Sequence, residues 1–345
     1  MKMRWMYPVI LLGIFLTACS LEPAALTVMV HDSFAISTDV MAEFEKANNV
    51  KVNFLLSGDA GSMLNKAILT KDAPVADVLY GVDNTFLSRA LSEGIFEAYN
   101  SPLLEQIPDQ YELDKGHQAL PVDFGDVCIN YDKRYFSDKG LPVPATLEDL
   151  TSPEYKELLV VENPATSSPG LAFLLATIAE YGPDGYQAYW QRLKKNGMVV
   201  VNDWNTAYST NFSGSSGKGS QPLVVSYSTS PVFEVIFADQ KPDEAPTASL
   251  VGKNMCFRQI EFVGILKGSK KRALAEKFVD FMLSKRFQED IPFNMFVFPA
   301  NKTAQVPAEF TDFVQVPEQP ATLSADQISA NREQWIEAWR AVILQ

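Results

Sequence analysis

The chain has 345 residues, 47% of them hydrophobic, with a formal net charge of −13. That apolar content excludes wholesale disorder, and the acid excess excludes a nucleic-acid binder, which needs clustered Lys and Arg. With His31 and His117 as the only histidines and three cysteines in all, a zinc cluster has no support.

At the N-terminus, Lys2 and Arg4 precede an apolar stretch from Met6 to Leu16, broken by Pro8 and Gly13. It is shorter than the roughly 20 residues a membrane span needs. A basic start followed by a short apolar run predicts a secretory signal peptide over residues 1–18. The stretch closes on Leu16-Thr17-Ala18-Cys19, which resembles a bacterial lipobox and implies cleavage before Cys19 with lipid on its sulfur. Residues 19–25 then read as a lipidated tether, and a soluble body is held at a membrane surface outside the cytoplasm. Loss of Lys2 and Arg4 with the signal takes the net charge from −13 to −15.

The remaining chain is longer than one hydrophobic core usually supports, so two lobes are expected. Leu26–Val30 is rich in β-branched residues and predicts a strand. Val40, Met41, Phe44 and Ala47 recur at helical spacing within 37–47. Val50–Leu56 is the next strand, 62–70 a helix, Val75–Tyr80 a third strand and 84–93 a third helix. This alternation predicts an α/β fold with a mostly parallel sheet covered on both faces. Leu120–Val122 and Val127–Tyr131 read as strands near a crossing between lobes. Leu159–Glu162, 171–181, 185–196, 198–202 and Leu223–Ser226 form a second α/β unit. The Gly/Ser-rich segment 211–220 lacks phosphate-loop spacing and reads as a flexible surface connection. Phe257–Leu266 is a return strand and 270–283 a helix. Ser324-Ala325-Asp326-Gln327 is a capping-box pattern opening a last helix. Trp335 and Trp339 share its apolar face and are expected in the core. Residues 26–122 with part of 257–345 make one lobe, and 127–256 the other.

Ligands in sheets of this kind bind at the carboxyl ends of strands. The turns there are polar: His31-Asp32-Ser33-Phe34, Ser57–Ser62, Gly81–Asn84, Asn163–Gly170, Asp203-Trp204-Asn205 and Tyr227–Pro231. Each alone is ordinary turn and cap chemistry; together, with two aromatics among them, they mark a binding cleft.

The segments Val28–Phe34, Ala76–Asn84, Thr166–Gly170, Trp204–Tyr208 and Ser226–Pro231 resemble the thiamine-binding proteins of ABC transporters. So do Ile291-Pro292, Phe298-Pro299 and the closing helix with Arg332, Trp335 and Trp339. The resemblance implies a two-lobed type II periplasmic-binding-protein fold with hinge strands between the lobes, no catalysis, no cofactor and no metal. It implies thiamine or a related cation as ligand, a membrane permease as partner, and a monomer. By its motifs, Asp59 and Ala60 fall in the acidic loop before the second helix. Thr166, Ser167 and Ser168 fall on its hydroxyl turn, Trp204 on a stacking tryptophan, and Tyr227, Ser228, Thr229 and Ser230 on its Tyr-Thr-Thr-Ser-like segment. Where the family has Tyr, Tyr and Trp, this chain has His31, Phe233 and Phe296. The chemistry is coherent: aromatic faces suit a flat ring and a thiazolium cation, and Asp59 suits its charge.

Rival readings are a polyamine or ferric-iron carrier of the same fold, and an extracellular hydrolase using carboxylates drawn from Asp59, Asp83, Asp123 and Asp203. No adjacent tyrosine pair of the ferric kind occurs, and no G-x-S-x-G elbow. Cys128 and Cys256 remain after Cys19. Sequence does not show whether they are neighbours, and two buried free thiols are the expectation.

Overall fold

The computed structural model describes residues 24–344 apart from Gly217 and Asp239. The signal segment and Cys19 lie outside the described residues.

The first half folds as the periodicities dictate. Strands β1 (Ala24–Val30) and β2 (Val50–Leu56) pair in parallel along their whole length, and β1 also pairs in parallel with β3 (Val78–Asp83). The helix Thr38–Asn48 turns Val40, Met41 and Phe44 inward, and Ala60–Leu69 does the same with Met63, Leu64 and Ala67. Strand β3 begins at Val78, not at Val75. Ahead of it Asp77 accepts from the Thr27 N–H at 2.9 Å and meets Lys271 Nζ at 3.1 Å, so a buried carboxylate occupies the expected strand start.

Strands β4 (Phe96–Glu97), β5 (Leu120–Asp132), β6 (Leu159–Glu162), β7 (Val199–Val201), β8 (Leu223–Tyr227), β9 (Thr247–Leu250), β10 (Phe257–Leu266) and β11 (Phe298–Pro299) follow. The sheet order is β2-β1-β3-β10-β5-β8-β6-β7. Two long antiparallel strands, β10 and β5, therefore join a parallel set β2-β1-β3 to a second set β8-β6-β7. Both sets aim their carboxyl ends at the same seam.

Strand β5 is one strand of 13 residues where two were expected. Asp123 and Asp126 interrupt the apolar pattern, but each has a buried partner. Asp126 takes both arms of Arg258 at 2.7 Å, and Asp123 accepts from Tyr80 Oη. Facing it, β10 pairs Glu261 with Asp123 and then slips register, so that Phe262 meets Pro121. Proline has no N–H to give a ladder, and such irregularities re-aim side chains. Glu261 is the residue at that slip.

The helical segment Ser168–Lys195 is two helices merged across Gly182, at φ 72°, ahead of Pro183, as the break between 181 and 185 predicts. Its second half carries Trp190, which packs edge-to-face on Trp339 of the helix Ala325–Ile343 at 5.6 Å. Such a pair adds about 0.5–1.5 kcal/mol beyond its area burial. Trp335 and Trp339 are core residues, and the Ser324/Gln327 capping box is present.

Two expectations are corrected. Cys128 on β5 and Cys256 just before β10 form a disulfide. The pairing of Phe257 with Val127 places them side by side, a juxtaposition set by long-range register. The segment 211–220 is not a loose connection. Phe212 is fully buried and bridges to Gln221, and a side chain at Gly219 would collide with the Asn211 carbonyl. Glycine is used there for close backbone approach.

Candidate ligand-binding site

A cavity of about 400 Å³ opens where the strand ends converge, within the roughly 300–1,000 Å³ typical of small-molecule pockets. It is lined by His31 and Ser33 after β1, Asp59 after β2, Ser168 and Pro169 after β6, and Trp204 and Asn205 after β7. Tyr227 and Ser230 come from the end of β8, Glu261 from the slip in β10, and Phe233 and Phe296 from the rim.

Asp59 caps the helix Ala60–Leu69. Its Oδ1 accepts from the Ala60 N–H at 2.7 Å and its Oδ2 from the Trp204 N–H at 3.1 Å, across the seam. Beside it, the Gly61 and Ser62 N–H groups donate to the Thr166 carbonyl at 3.0 and 3.3 Å. Free N–H groups of a helix start are thus satisfied from the opposite half. The fit needs Gly61, because a Cβ there would lie 2.8 Å from Ala165 O and 2.9 Å from Thr166 O. The two halves are closed upon each other at this point. Burial pushes the Asp59 carboxyl up; the Ser167 hydroxyl, the Ala60 N–H and the His31 charge oppose it.

Trp204 forms one flat wall. Its ring stacks on Tyr208 at 5.0 Å and 11°, and its Nε1 donates to Ser226 Oγ at 2.9 Å. Tyr227 lies against Gly125, where a Cβ would sit 2.9 Å from its ring. Phe233 and Phe296 meet edge-to-face at 4.9 Å. Phe296 has φ 54°, an unfavourable backbone for a bulky residue, held at the cavity mouth.

Opposite the aromatics is an acidic corner. His31 Nε2 is 3.6 Å from Glu261 Oε1, and Tyr80 Oη is 3.1 Å from Glu261 Oε2. The His31 ring lies on Gly81, where a Cβ would be 2.3 Å from Cδ2. Burial pulls the His31 pKa down, but the Glu261 charge, helped by Asp59 and Asp32, leaves it above 6.5. Glu261 is correspondingly low: burial opposes ionisation and the His31 charge outweighs it. Burial and the Glu261 charge push the Asp123 carboxyl well up.

The expected site residues divide in two. His31, Asp59, Ser168, Trp204, Tyr227, Ser230, Phe233 and Phe296 line the cavity. Ala60, Thr166, Ser167, Ser228 and Thr229 do not. Ala60 donates its backbone N–H to Asp59, Thr166 serves the seam through its carbonyl, Ser167 is buried at the start of the long helix, and the Ser228 N–H donates to Asp126 O at 2.8 Å. Ser168 is also tied to Asp83 and Gln259. Asp83 is pushed up to about 6 by burial, with the Ser168 and Thr85 hydroxyls opposing. Ser33 and Asn205 lie in the polar turns that the sequence marks as the cleft, and Tyr208 ends the Trp204–Tyr208 segment one helical turn from Trp204, though the sequence names none of them as a contact; Glu261 and Met295 carry no signal. Of the four acids considered for a hydrolase only Asp59 lines the cavity; Asp203 caps its own turn through the Thr206 N–H at 2.7 Å.

Two α/β sets, two linking strands and a shared cavity with aromatic walls define a two-lobed solute-binding protein. The model for the bacterial extracellular solute-binding protein family matches residues 73–313, and the chain belongs to that family. It is 31% identical to the thiamine-binding periplasmic protein of Brucella suis, over 93% of this chain and 94% of that one. Against the protein of the same name in Escherichia coli it is 30% identical, with 95% and 96% covered. A solved periplasmic thiamin binding protein superposes with a TM-score of 0.80 at 26% identity, covering 92% of this chain and 96% of the other. A ferric binding protein from Campylobacter jejuni shares the fold, with a TM-score of 0.73 at 18% identity, over 92% and 99%.

Proposed function

We propose that this protein captures thiamine outside the cytoplasm and delivers it to an ABC permease. The observation that carries the reading is a cavity with Trp204 stacked on Tyr208 as one wall and Glu261 as a buried acid. A flat aminopyrimidine and a permanent thiazolium cation match those two features. The relatives named for thiamine support it. Among the described residues no group of three or more His, Cys, Asp or Glu is placed to hold a metal ion. In this reading Cys19 carries the lipid, a monomer works at the membrane surface, and residues 26–122 with part of 257–345 close on 127–256. Fluorescence titration with thiamine, spermidine and ferric citrate tests it. Saturable quenching by thiamine at the lowest concentration is expected; a tighter response to spermidine or iron would replace the reading.

Free thiamine is expected to bind at least as tightly as thiamine monophosphate. A phosphate site usually supplies Arg or Lys, and the lining has neither, while Asp59 and Glu261 repel an anion. Calorimetry with both ligands checks this. A monophosphate preference that disappears in Ser167→Ala/Ser168→Ala would assign the turn before the long helix to phosphate.

Asp59→Asn is expected to weaken thiamine binding. It deletes the charge and turns one acceptor into an NH2 group, so the Ala60 and Trp204 N–H groups can no longer both be satisfied. Unchanged affinity would show that neither the charge nor this bond across the seam matters.

A further inference from the structure

We propose that Glu261 is the carboxylate that takes the positive charge of the bound solute, and that His31 is the resident cation it displaces. The inference rests on the thiamine reading and specifies its charge chemistry.

Three carboxylates bear on the cavity, and two are already engaged. Both oxygens of Asp59 accept backbone N–H bonds. Asp83 is bound by Ser168, Thr85 and Gln259 behind the wall. Glu261 instead lines the cavity with Oε1 facing His31 at 3.6 Å, too long for a good hydrogen bond. Its other oxygen lies 3.1 Å from Tyr80 Oη, whose single proton it shares with Asp123, and beside Asp123 itself, which leaves Oε1 on the cavity side. The slip of β10 opposite Pro121 puts it there.

Charged and titratable groups face His31 from several elements. Glu261 faces it from β10, Asp59 from the helix start after β2, Asp32 from its own turn, and Tyr80 from β3 with ring centres 5.9 Å apart. Asp123 lies on β5 beside Glu261, its carboxyl pushed well up by burial and by that charge. Among the described residues no Lys or Arg lines the cavity. In the empty protein the Glu261 charge is therefore balanced by protonated His31. A cationic solute entering the same corner sets a second positive charge beside the His31 imidazolium; Asp59 keeps its charge but commits both oxygens to backbone N–H groups, so the two cations compete for the Glu261 oxygen that faces His31. One charge leaves as a proton from the His31 imidazolium to solvent, and imidazole, ligand cation and carboxylate remain.

The sign follows from linkage. The His31 pKa in the empty protein lies above 6.5, and the ligand lowers it. Affinity thus falls as pH drops below the empty-state pKa, by up to about tenfold per unit, and levels off above it. The test is calorimetry of thiamine binding to the full mature chain at about pH 6.5, near the ordinary histidine pKa, in two buffers of different ionisation heat. Wild type is expected to release up to one proton per thiamine bound, and His31→Gln none, with a flat pH profile. Glu261→Gln is expected to lose at least tenfold in affinity at high pH, where His31 is neutral. Binding without proton release in wild type, or equal release from His31→Gln, overturns the inference while leaving the thiamine reading intact. No thiamine heat at any pH defeats both.

Discussion

Trp204→Ala is expected to weaken thiamine binding about five- to 150-fold, the equivalent of roughly 1–3 kcal/mol. One face of the indole is covered by Tyr208 and Nε1 is fixed by Ser226, so the ring is held in place before ligand arrives. Little entropy is then lost on binding. The substitution removes the wall but keeps the Trp204 backbone N–H that Asp59 accepts. Closure at that point survives, and the loss reports stacking. Trp204→Phe keeps a face and is expected to recover most of the affinity. Calorimetry on the three proteins decides it; equal affinity in all of them would take the indole out of the site.

The second large effect is on stability. Cys128→Ala/Cys256→Ala is expected to cost about 2–5 kcal/mol of folding free energy. The bridge joins positions 128 residues apart, and long loops restrict the unfolded chain most. It ties β5 to the beginning of β10, the two strands that link the halves of the sheet. Urea unfolding with and without reductant measures it. Wild type should fall to the stability of the double variant when reduced, and the variant should be indifferent to reductant. Thiamine affinity should be retained, since neither cysteine lines the cavity. A variant as stable as the oxidised parent would show that register alone holds the crossing.

These predictions draw on features of unequal legibility. Runs such as Leu26–Val30 and Val50–Leu56 announce parallel strands because burial on both faces demands continuous apolar residues. The polar ends of such runs put His31, Asp59 and Trp204 at one seam. Strand β5 was harder, because Asp123 and Asp126 look like a turn until Tyr80 and Arg258 are brought to them. The strand β9, Thr247–Leu250, is too short and mixed to show a period. The disulfide depends on the pairing of Phe257 with Val127, which no local pattern encodes. Glu261 escaped for a similar reason. A single acid inside an apolar strand carries no motif, and its direction is set by a slip opposite a proline far away in sequence.

The central claim is that the cleft holds thiamine, and the most direct measurement is the mass of small molecules released when the protein, purified without added ligand, is denatured. The account predicts thiamine, recovered chemically unchanged and at no more than one equivalent per chain. A polyamine or iron at stoichiometric level, with thiamine absent and unable to displace it, would contradict the account.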